Sequence, residues 1–250
     1  MSRDLPTLVY FWRKNRLQMI GSHIRCAKVS DTGICPSCYS GKIIRNGTTK
    51  TGKQQYICKE CHKRFLDFYT YKAYHANVNS LIIQLTKESL GIRSIARVLQ
   101  ISAMIVLRRI RSIAENIVPT VLSFGKTYEL DEMRFFIRKK SNPMWLVYAI
   151  DKVSKEIAAF YIGKRNNKTL NVIVKTLLNA KAKMLFTDKL KNYQYLIPKS
   201  IHNTKRYGTN GIERKNLTLR THLKRLNRRT IGFSRSITIL SAILKIYFWS

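Results

Sequence analysis

The sequence predicts an α/β chain of several α+β domains: two small units first, then a mixed sheet with flanking helices. Three observations predict it. Four of the five cysteines fall in two close pairs near the start. A run of apolar residues at helical period follows. After Gly125 the chain reads strand, strand, strand, helix, strand, helix. Its 250 residues suffice for one large domain or two to three small ones, and 45% hydrophobic content is ordinary for a chain that buries a core.

The first unit is residues 34–68. Cys35 and Cys38 in "CPSC" and Cys58 and Cys61 in "CKEC" stand 19 residues apart. Thiolates two apart on a tight turn can hold one ion, and two such knuckles complete a tetrahedron. Between them, "KIIRNG" and "QQYIC" read as short strands around a Gly-rich turn. That is the layout of a zinc ribbon. A disulfide pairing is the rival reading, and it requires an oxidising compartment. A closed four-thiolate site leaves no position for water, so the expected zinc is structural. His62 reads as a surface residue and Cys26 has no role in the pattern.

The second unit is residues 69–118. Leu81, Ile82 and Leu85 begin an amphipathic stretch. Ile92, Ile95, Ala96 and Leu99 share a face of a short helix. "QIS" is a turn with Ser102 as N-cap, and Val106, Leu107, Ile110 and Ile113 stripe a second helix. The spacing is that of a helix-turn-helix, with Ala96 as the small residue at the crossing. Arg108, Arg109 and Arg111 stand where phosphates or base edges would be met. Gln100 replaces the usual turn glycine, and Ile105 stands where a polar residue is common; a plain helical hairpin is the competing reading.

Pro119 and Gly125 bracket a linker, residues 119–127. The third unit, 128–250, opens with strands over Thr127–Ile137, Met144–Asp151 and Glu156–Gly163. An amphipathic helix over 167–182 leads to a fourth strand, Lys183–Asp188. A late helix over Asn210–Thr230 buries Ile212, Leu219, Leu223 and Leu226. Three antiparallel strands, a helix and a parallel strand suggest a ribonuclease-H-like sheet.

Charge singles out a few residues of this unit. The formal net charge is +34, which repels itself in a compact state unless an anion offsets it. Nucleic acid is the first candidate, since each phosphate contact releases counterions. From Ile157 to Ser250 there are 20 Lys plus Arg and only two acids, Asp188 and Glu213. Asp188 ends the fourth strand and Glu213 emerges beside the buried stripe of the late helix. The first strand offers Glu129, Asp131 and Glu132, with alternation setting Glu129 and Asp131 on one face and Glu132 on the other. Carboxylates from such positions repel one another unless a divalent cation lies between them. The competing readings are a helix-start residue for Glu213 and a turn or N-cap residue for Asp188. Asp151 has turn chemistry before "KVSK". Arg214, Lys215, Arg220, Lys224, Arg225, Arg228 and Arg229 crowd the late helix as candidates for phosphate contact.

A membrane is a weak alternative partner. Ser236–Trp249 contains Lys245, is too short to span a bilayer and reads as a buried helix. The N-terminus shows no long apolar region and no small-residue cleavage site, so a cytoplasmic chain with reduced thiols is expected.

With "CPSC…CKEC", "IRSIARVLQIS…VLRRI", "YELDE", "WLVYAID", "TD…Y" (Thr187, Asp188, Tyr193) and above all "IERKNLTLRTHLKRLNRRTIGFSRS", the sequence resembles the DDE transposases of insertion sequence one and its relatives. The resemblance covers roughly Ile34 to the C-terminus. It implies that the zinc ribbon and helix-turn-helix bind the terminal inverted repeats of the element. It implies a triad of Asp131, Asp188 and Glu213 holding Mg or Mn, with double-stranded DNA as element ends and target. It implies a homo-oligomer on DNA, associated with a bacterial nucleoid, acting on no small-molecule substrate. It makes Arg220, seven residues after Glu213, a contact for the DNA backbone. Family members are often made by frameshifting, and the linker is where the join would fall. Residues 1–33 have no counterpart in the resemblance, and Met19 is an alternative start. The abrupt "YFWS" end is compatible with a shortened copy. The rival function is a DNA-binding remnant or repressor of the same element without chemistry; a junction-resolving or RNA-cleaving nuclease is disfavoured by the two N-terminal units.

Overall fold

The computed structural model describes residues 28–75, 77–230 and 232–250. Most of the N-terminal stretch, with Met19 and Cys26, lies outside the described residues. Contacts group the chain into two compact units: residues up to Ile82 with Arg93–Val106, and Ile83–Ile92 with Leu107–Ser250.

One turn of helix, Val29–Thr32, precedes a three-stranded antiparallel sheet of β1 (Ile43–Thr48), β2 (Gln54–Cys58) and β3 (Arg64–Leu66), in that order. The sequence reading found the first two strands and missed the third, which is only three residues long. A core this small is built from Val29, Tyr56, Phe65 and the sulfurs of Cys35 and Cys58. That is too little apolar area to hold a domain without a staple.

Three helices follow: α1 (Val78–Lys87), α2 (Ile92–Leu99) and α3 (Ala103–Asn116). Ile95 and Ala96 of α2 are buried, as are Val106, Ile110 and Ile113 of α3. Gln100 takes the left-handed conformation at φ 52°. The N–H of Ile101 bonds the carbonyl of Ala96 at 3.0 Å and that of Gln100 bonds Arg97 at 3.3 Å, which terminates α2 in a Schellman motif. Gln100 therefore occupies the glycine position of the turn with a glycine-like backbone, at some steric cost. The Ser102 hydroxyl accepts the N–H of Ile105 at 3.2 Å, the cap expected for α3.

The last region is a five-stranded mixed sheet in the order β6-β5-β4-β7-β8. The strands are β4 (Thr127–Phe136), β5 (Pro143–Asp151), β6 (Ile157–Gly163), β7 (Met184–Phe186) and β8 (His202–Asn203). The first three are antiparallel neighbours; β7 runs parallel to β4, and β8 parallel to β7. The helices are α4 (Asn167–Asn179), α5 (Lys191–Leu196), α6 (Asn210–His222) and α7 (Ile237–Trp249). The order agrees with the ribonuclease-H-like expectation. Three details differ. The fourth strand stops at Phe186, so Asp188 stands two residues beyond it. Short α5 and β8 were not foreseen, being too brief to show a period. The late helix ends at His222, where a 3-10 turn, Lys224–Leu226, takes over. Its stripe survives that break: Ile212, Leu219, Leu223 and Leu226 are all buried.

Strand alternation distributes the core over two faces. Met133 and Phe135 of β4 pack with Leu146, Tyr148 and Ile150 of β5 against α6 and α7. Tyr128 and Leu130 pack with Val147 and Ala149 against Leu170, Ile173, Val174 and Leu177 of α4. The sheet is thus buried on both sides, and β4 lies at its centre.

Candidate active site

The two cysteine knuckles are built alike. The N–H of Tyr39 bonds the carbonyl of Cys35 at 2.9 Å, and the N–H of His62 bonds that of Cys58 at 3.0 Å. Both closing residues are left-handed, at φ 63° and φ 56°. His62 is thus a turn-closing residue, exposed as expected. The four sulfurs lie within 4.8 Å of one another. Cys35 and Cys61 are 3.7 Å apart, Cys38 and Cys58 3.5 Å. A tetrahedron with Zn–S bonds of about 2.3 Å has edges of about 3.8 Å, so the thiols fit zinc. The backbone N–H groups of Cys61 and Glu60 bring the Cys58 thiol down to about 7, while burial and the neighbouring thiols outweigh the Ser40 backbone and push Cys38 up to about 12, so without a metal the cluster holds its negative charge unevenly.

At the sheet, the ladder between β4 and β7 ends at Glu129 with Phe186. The edge of β4 is free of that neighbour two residues later, at Asp131. Here the carboxylates of Asp131, Glu132 and Asp188 come within 4.8 Å of one another. Alternation had separated Asp131 from Glu132, but at an open strand edge both reach round toward Asp188. Glu132 is thus a member of the cluster that periodicity alone does not single out. Glu213 is outside this close group. It is exposed in the first turn of α6, takes the Thr209 hydroxyl on Oε1 at 3.0 Å, and adds to the negative field at Asp131.

Burial pushes the Asp131 carboxyl up to about 6, with Asp188 and Glu213 adding to it. Burial likewise pushes Glu132 up to about 7, with Asp188 next in effect. The raised values express a cluster of like charges in a dry setting, which a cation would relieve.

Ion pairing sorts the acids of this region. Glu129, almost wholly buried, meets Lys155 at 2.9 Å and takes the N–H of Ile212 at 2.8 Å. It anchors the start of α6. Asp151 meets Lys126 at 2.7 Å and takes the N–H groups of Val153 and Ser154, the turn role expected. Glu132 faces Arg165 at 3.4 Å. Asp131, Asp188 and Glu213 make no ion pair among the described residues; the exposed turn residue Glu156 is the other acid of the sheet region without one. In a chain of net charge +34, unpaired acids side by side are the unexpected feature.

Further side chains complete the surroundings. The Asp188 Oδ1 takes the N–H of Leu190 at 3.1 Å, so the residue also serves the turn. The Tyr193 hydroxyl is wholly buried beside Glu132 and completes no hydrogen bond of good geometry; burial, then Glu132, holds its proton on. Asn216 donates to Asp131 Oδ2 at 2.6 Å. Arg220 is half-buried, its Nε unpartnered, with burial and then Arg228 lowering its proton affinity. Arg214, Lys224, Arg228 and Arg229 are exposed, while Lys215 and Arg225 are half-buried. Arg108 and Arg111 are exposed on α3 and Arg109 is half-buried.

Comparison with known proteins bears on both centres. A family model described as IS1 transposase matches residues 126–249, and one described as the InsA N-terminal domain, a zinc ribbon, matches 29–62. The insertion element iso-IS1n protein InsB of Shigella dysenteriae is 38% identical over 116 residues, 46% of this chain and 88% of that one. The insertion element IS1 protein InsB of Shigella flexneri is 31% identical over 119 residues, 48% of this chain and 91% of that one. The insertion element IS1 4 protein InsB of Escherichia coli K12 is 32% identical over 119 residues, 48% and 71%. Among solved structures, a simian T-cell lymphotropic virus intasome in complex with PP2A regulatory subunit B56 gamma aligns with 65% of this chain and 66% of that chain at 16% identity and a TM-score of 0.34, a likeness too loose to argue from.

Proposed function

The chain belongs to the IS1 transposase family, and from that premise we propose that it cuts and joins DNA with a divalent cation held by Asp131, Asp188 and Glu213. Membership makes it a DNA-cutting transposase with a zinc ribbon; the finer chemistry is our reading. The single observation that carries it is the group of unpaired acids at the open edge of β4, Asp131 and Asp188 in close approach and Glu213 adding to the negative field at Asp131. Carboxylate oxygens converging on one space suit Mg or Mn. Glu132 borders the same space, already engaged by Arg165.

When bound, the ion lowers the pKa of an attacking hydroxyl or water and stabilises charge on the leaving oxygen. The protein's part is to hold the phosphate in line and shut out competing charge. In the cleavage step a water oxygen bonds to phosphorus, the bond to the 3′ oxygen breaks, and a proton ends on the 3′ oxygen. In the joining step that 3′-hydroxyl attacks a target phosphodiester and displaces a new 3′ oxygen. Arg220 lies two turns along α6 from Glu213 and supplies positive charge to the backbone next to the cut. Arg214, Lys215, Lys224, Arg225, Arg228 and Arg229 extend that field along the duplex.

The same reading divides the chain into a ribbon over 34–68, a helix-turn-helix over 69–118, a linker over 119–127 and a catalytic domain over 128–250. The ribbon and the helix-turn-helix, with Arg108, Arg109 and Arg111, recognise the element's terminal repeats. The enzyme works as a homo-oligomer on paired ends. Asp131→Asn, Asp188→Asn and Glu213→Gln should each lose strand cleavage by orders of magnitude while duplex binding persists. Asp151→Asn should leave cleavage intact. A Glu213→Gln protein that nicks DNA in Mg²⁺ at near wild-type rate would refute the triad.

A further inference from the structure

We infer that Asn216 is a positioning residue: its side-chain amide, clamped by the Tyr148 hydroxyl, fixes the Asp131 carboxylate for a divalent cation without neutralising it. The inference rests on the reading of Asp131 as a metal ligand.

Three elements meet at this contact. Asp131 of β4 stands opposite Tyr148 of β5 in the ladder. Asn216 of α6 bridges them, with Nδ2 at 2.6 Å from Asp131 Oδ2 and Oδ1 at 2.8 Å from the Tyr148 hydroxyl. Chemistry fixes which way the amide points. An ionised carboxylate only accepts, so the NH₂ must face Asp131, and the carbonyl oxygen is left to take the tyrosine proton. Tyr148 has one proton and two acceptors in reach, Asn216 at 2.8 Å and the Ile212 carbonyl at 3.2 Å. The shorter contact is the hydrogen bond, and the longer one still ties the ring to the first turn of α6. Tyr148 is wholly buried, so this clamp is not diluted by water.

The other oxygen of Asp131, Oδ1, takes the N–H of Glu132 at 2.7 Å. Two donors thus hold the carboxylate, and each oxygen keeps a lone pair for a cation. The choice of amide matters. Glu129, Glu132 and Asp151 are each met by a Lys or Arg. A cationic partner at Asp131 would compete with the metal; a neutral amide orients the group and leaves its charge in place. Asn216 is also three residues after Glu213 and four before Arg220, on one helical face. The bond that sets the Asp131 rotamer therefore also sets the rotation of the helix that carries both.

The test is direct Mn²⁺ binding by the zinc-loaded full chain, followed by the paramagnetic signal of free Mn²⁺, with nicking of a supercoiled plasmid in Mg²⁺ alongside. Outer partners of metal ligands typically govern affinity by about 10- to 100-fold. Asn216→Ala should weaken Mn²⁺ binding within that range, raise the Mg²⁺ concentration for half-maximal nicking in step, and leave duplex affinity unchanged. Tyr148→Phe keeps the ring in the core and removes only the clamp; it should show the same shift in smaller measure, and it carries the test if Asn216→Ala does not fold. Asp131→Asn separates the two claims. If it abolishes Mn²⁺ binding while folded Asn216→Ala and Tyr148→Phe proteins bind within twofold of wild type, the role given to Asn216 is wrong and the triad stands. If Asp131→Asn binds Mn²⁺ normally, both fall.

Discussion

Glu132 and Glu213 make opposite predictions at the scale of single residues. Glu132 sits in the close carboxylate group but is met by Arg165; Glu213 is exposed and unpaired at the start of α6. Glu132→Gln should lower cleavage modestly, because one charge leaves the surroundings of the proposed cation, whereas Glu213→Gln should abolish it. Equal losses in the two variants, measured by nicking rate, would make Glu132 a ligand in its own right. The pH dependence has a definite sign. Asp131 and Glu132 have folded values of about 6 and 7, above their ordinary values of 3.8 and 4.5. Between pH 4 and 7 the metal-free native state therefore holds more protons than the unfolded one, and stability contributed by these groups falls as pH rises. Asp151, whose value is lowered chiefly by Lys126 against the opposing effect of burial, acts in the other direction and loses its contribution as the medium turns acid. The comparison is thus wild type against the Asp131→Asn, Glu132→Gln double variant. Chemical denaturation of metal-free protein should show wild type losing stability relative to the variant from pH 4 to pH 7, and Mg²⁺ should reverse that loss.

Helix α6 depends on one position where a side chain has no room. A Cβ on Gly211 would lie 2.8 and 2.9 Å from the Glu129 carboxylate oxygens and 2.6 Å from Lys155 Nζ. Lys155 can swing away, but Glu129 is buried and holds the N–H of Ile212. Gly211→Ala gains about 1 kcal/mol of helix propensity and meets overpacking of about 1–3 kcal/mol. The added loss of the Glu129 contact makes the net effect destabilising, which a lowered denaturant midpoint would register; a raised midpoint would show that Glu129 yields freely. In the ribbon, Cys58→Ser removes one of the sulfurs that share a small core with Val29, Tyr56 and Phe65. The metal's binding free energy is folding free energy there, so zinc stoichiometry and the ordered signals of residues 34–66 should be lost together. A variant that retains one equivalent of zinc in that site would contradict this.

For the whole molecule, charge decides. A net charge of +34 offers far more cations than any one DNA site can use, and with 6–10 phosphate contacts the slope of log affinity against log salt should be on the order of −5 to −9 for duplex DNA. A slope near zero would be incompatible with a backbone-gripping enzyme. No helix among the described residues is long and apolar enough to cross a membrane, and Ser236–Trp249, the most apolar late stretch, forms α7 against the sheet.

What the sequence determined by itself was whatever depends on short-range order. Cysteine pairs at fixed spacing, the Ser102 cap, the apolar stripe through Ile212, Leu219, Leu223 and Leu226, and the rarity of acids after Ile157 all report local chemistry. They sufficed for two of the three ribbon strands, the longer helices and the order of the first four strands of the large sheet. Two-residue β8 and three-residue β3 were invisible because elements so short have no period to read. Tertiary structure alone decided the rest of the site. Periodicity places Asp131 and Glu132 on opposite faces, and only the early end of the β4–β7 ladder lets them meet. Glu129, Asp131, Asp151 and Glu132 are equivalent as letters. They differ once folded because Lys155, Lys126 and Arg165 reach three of them from distant parts of the chain, while Asp131 meets the neutral amide of Asn216, 85 residues away. Pairing across such distances is set by packing of the whole sheet, and no local pattern encodes it.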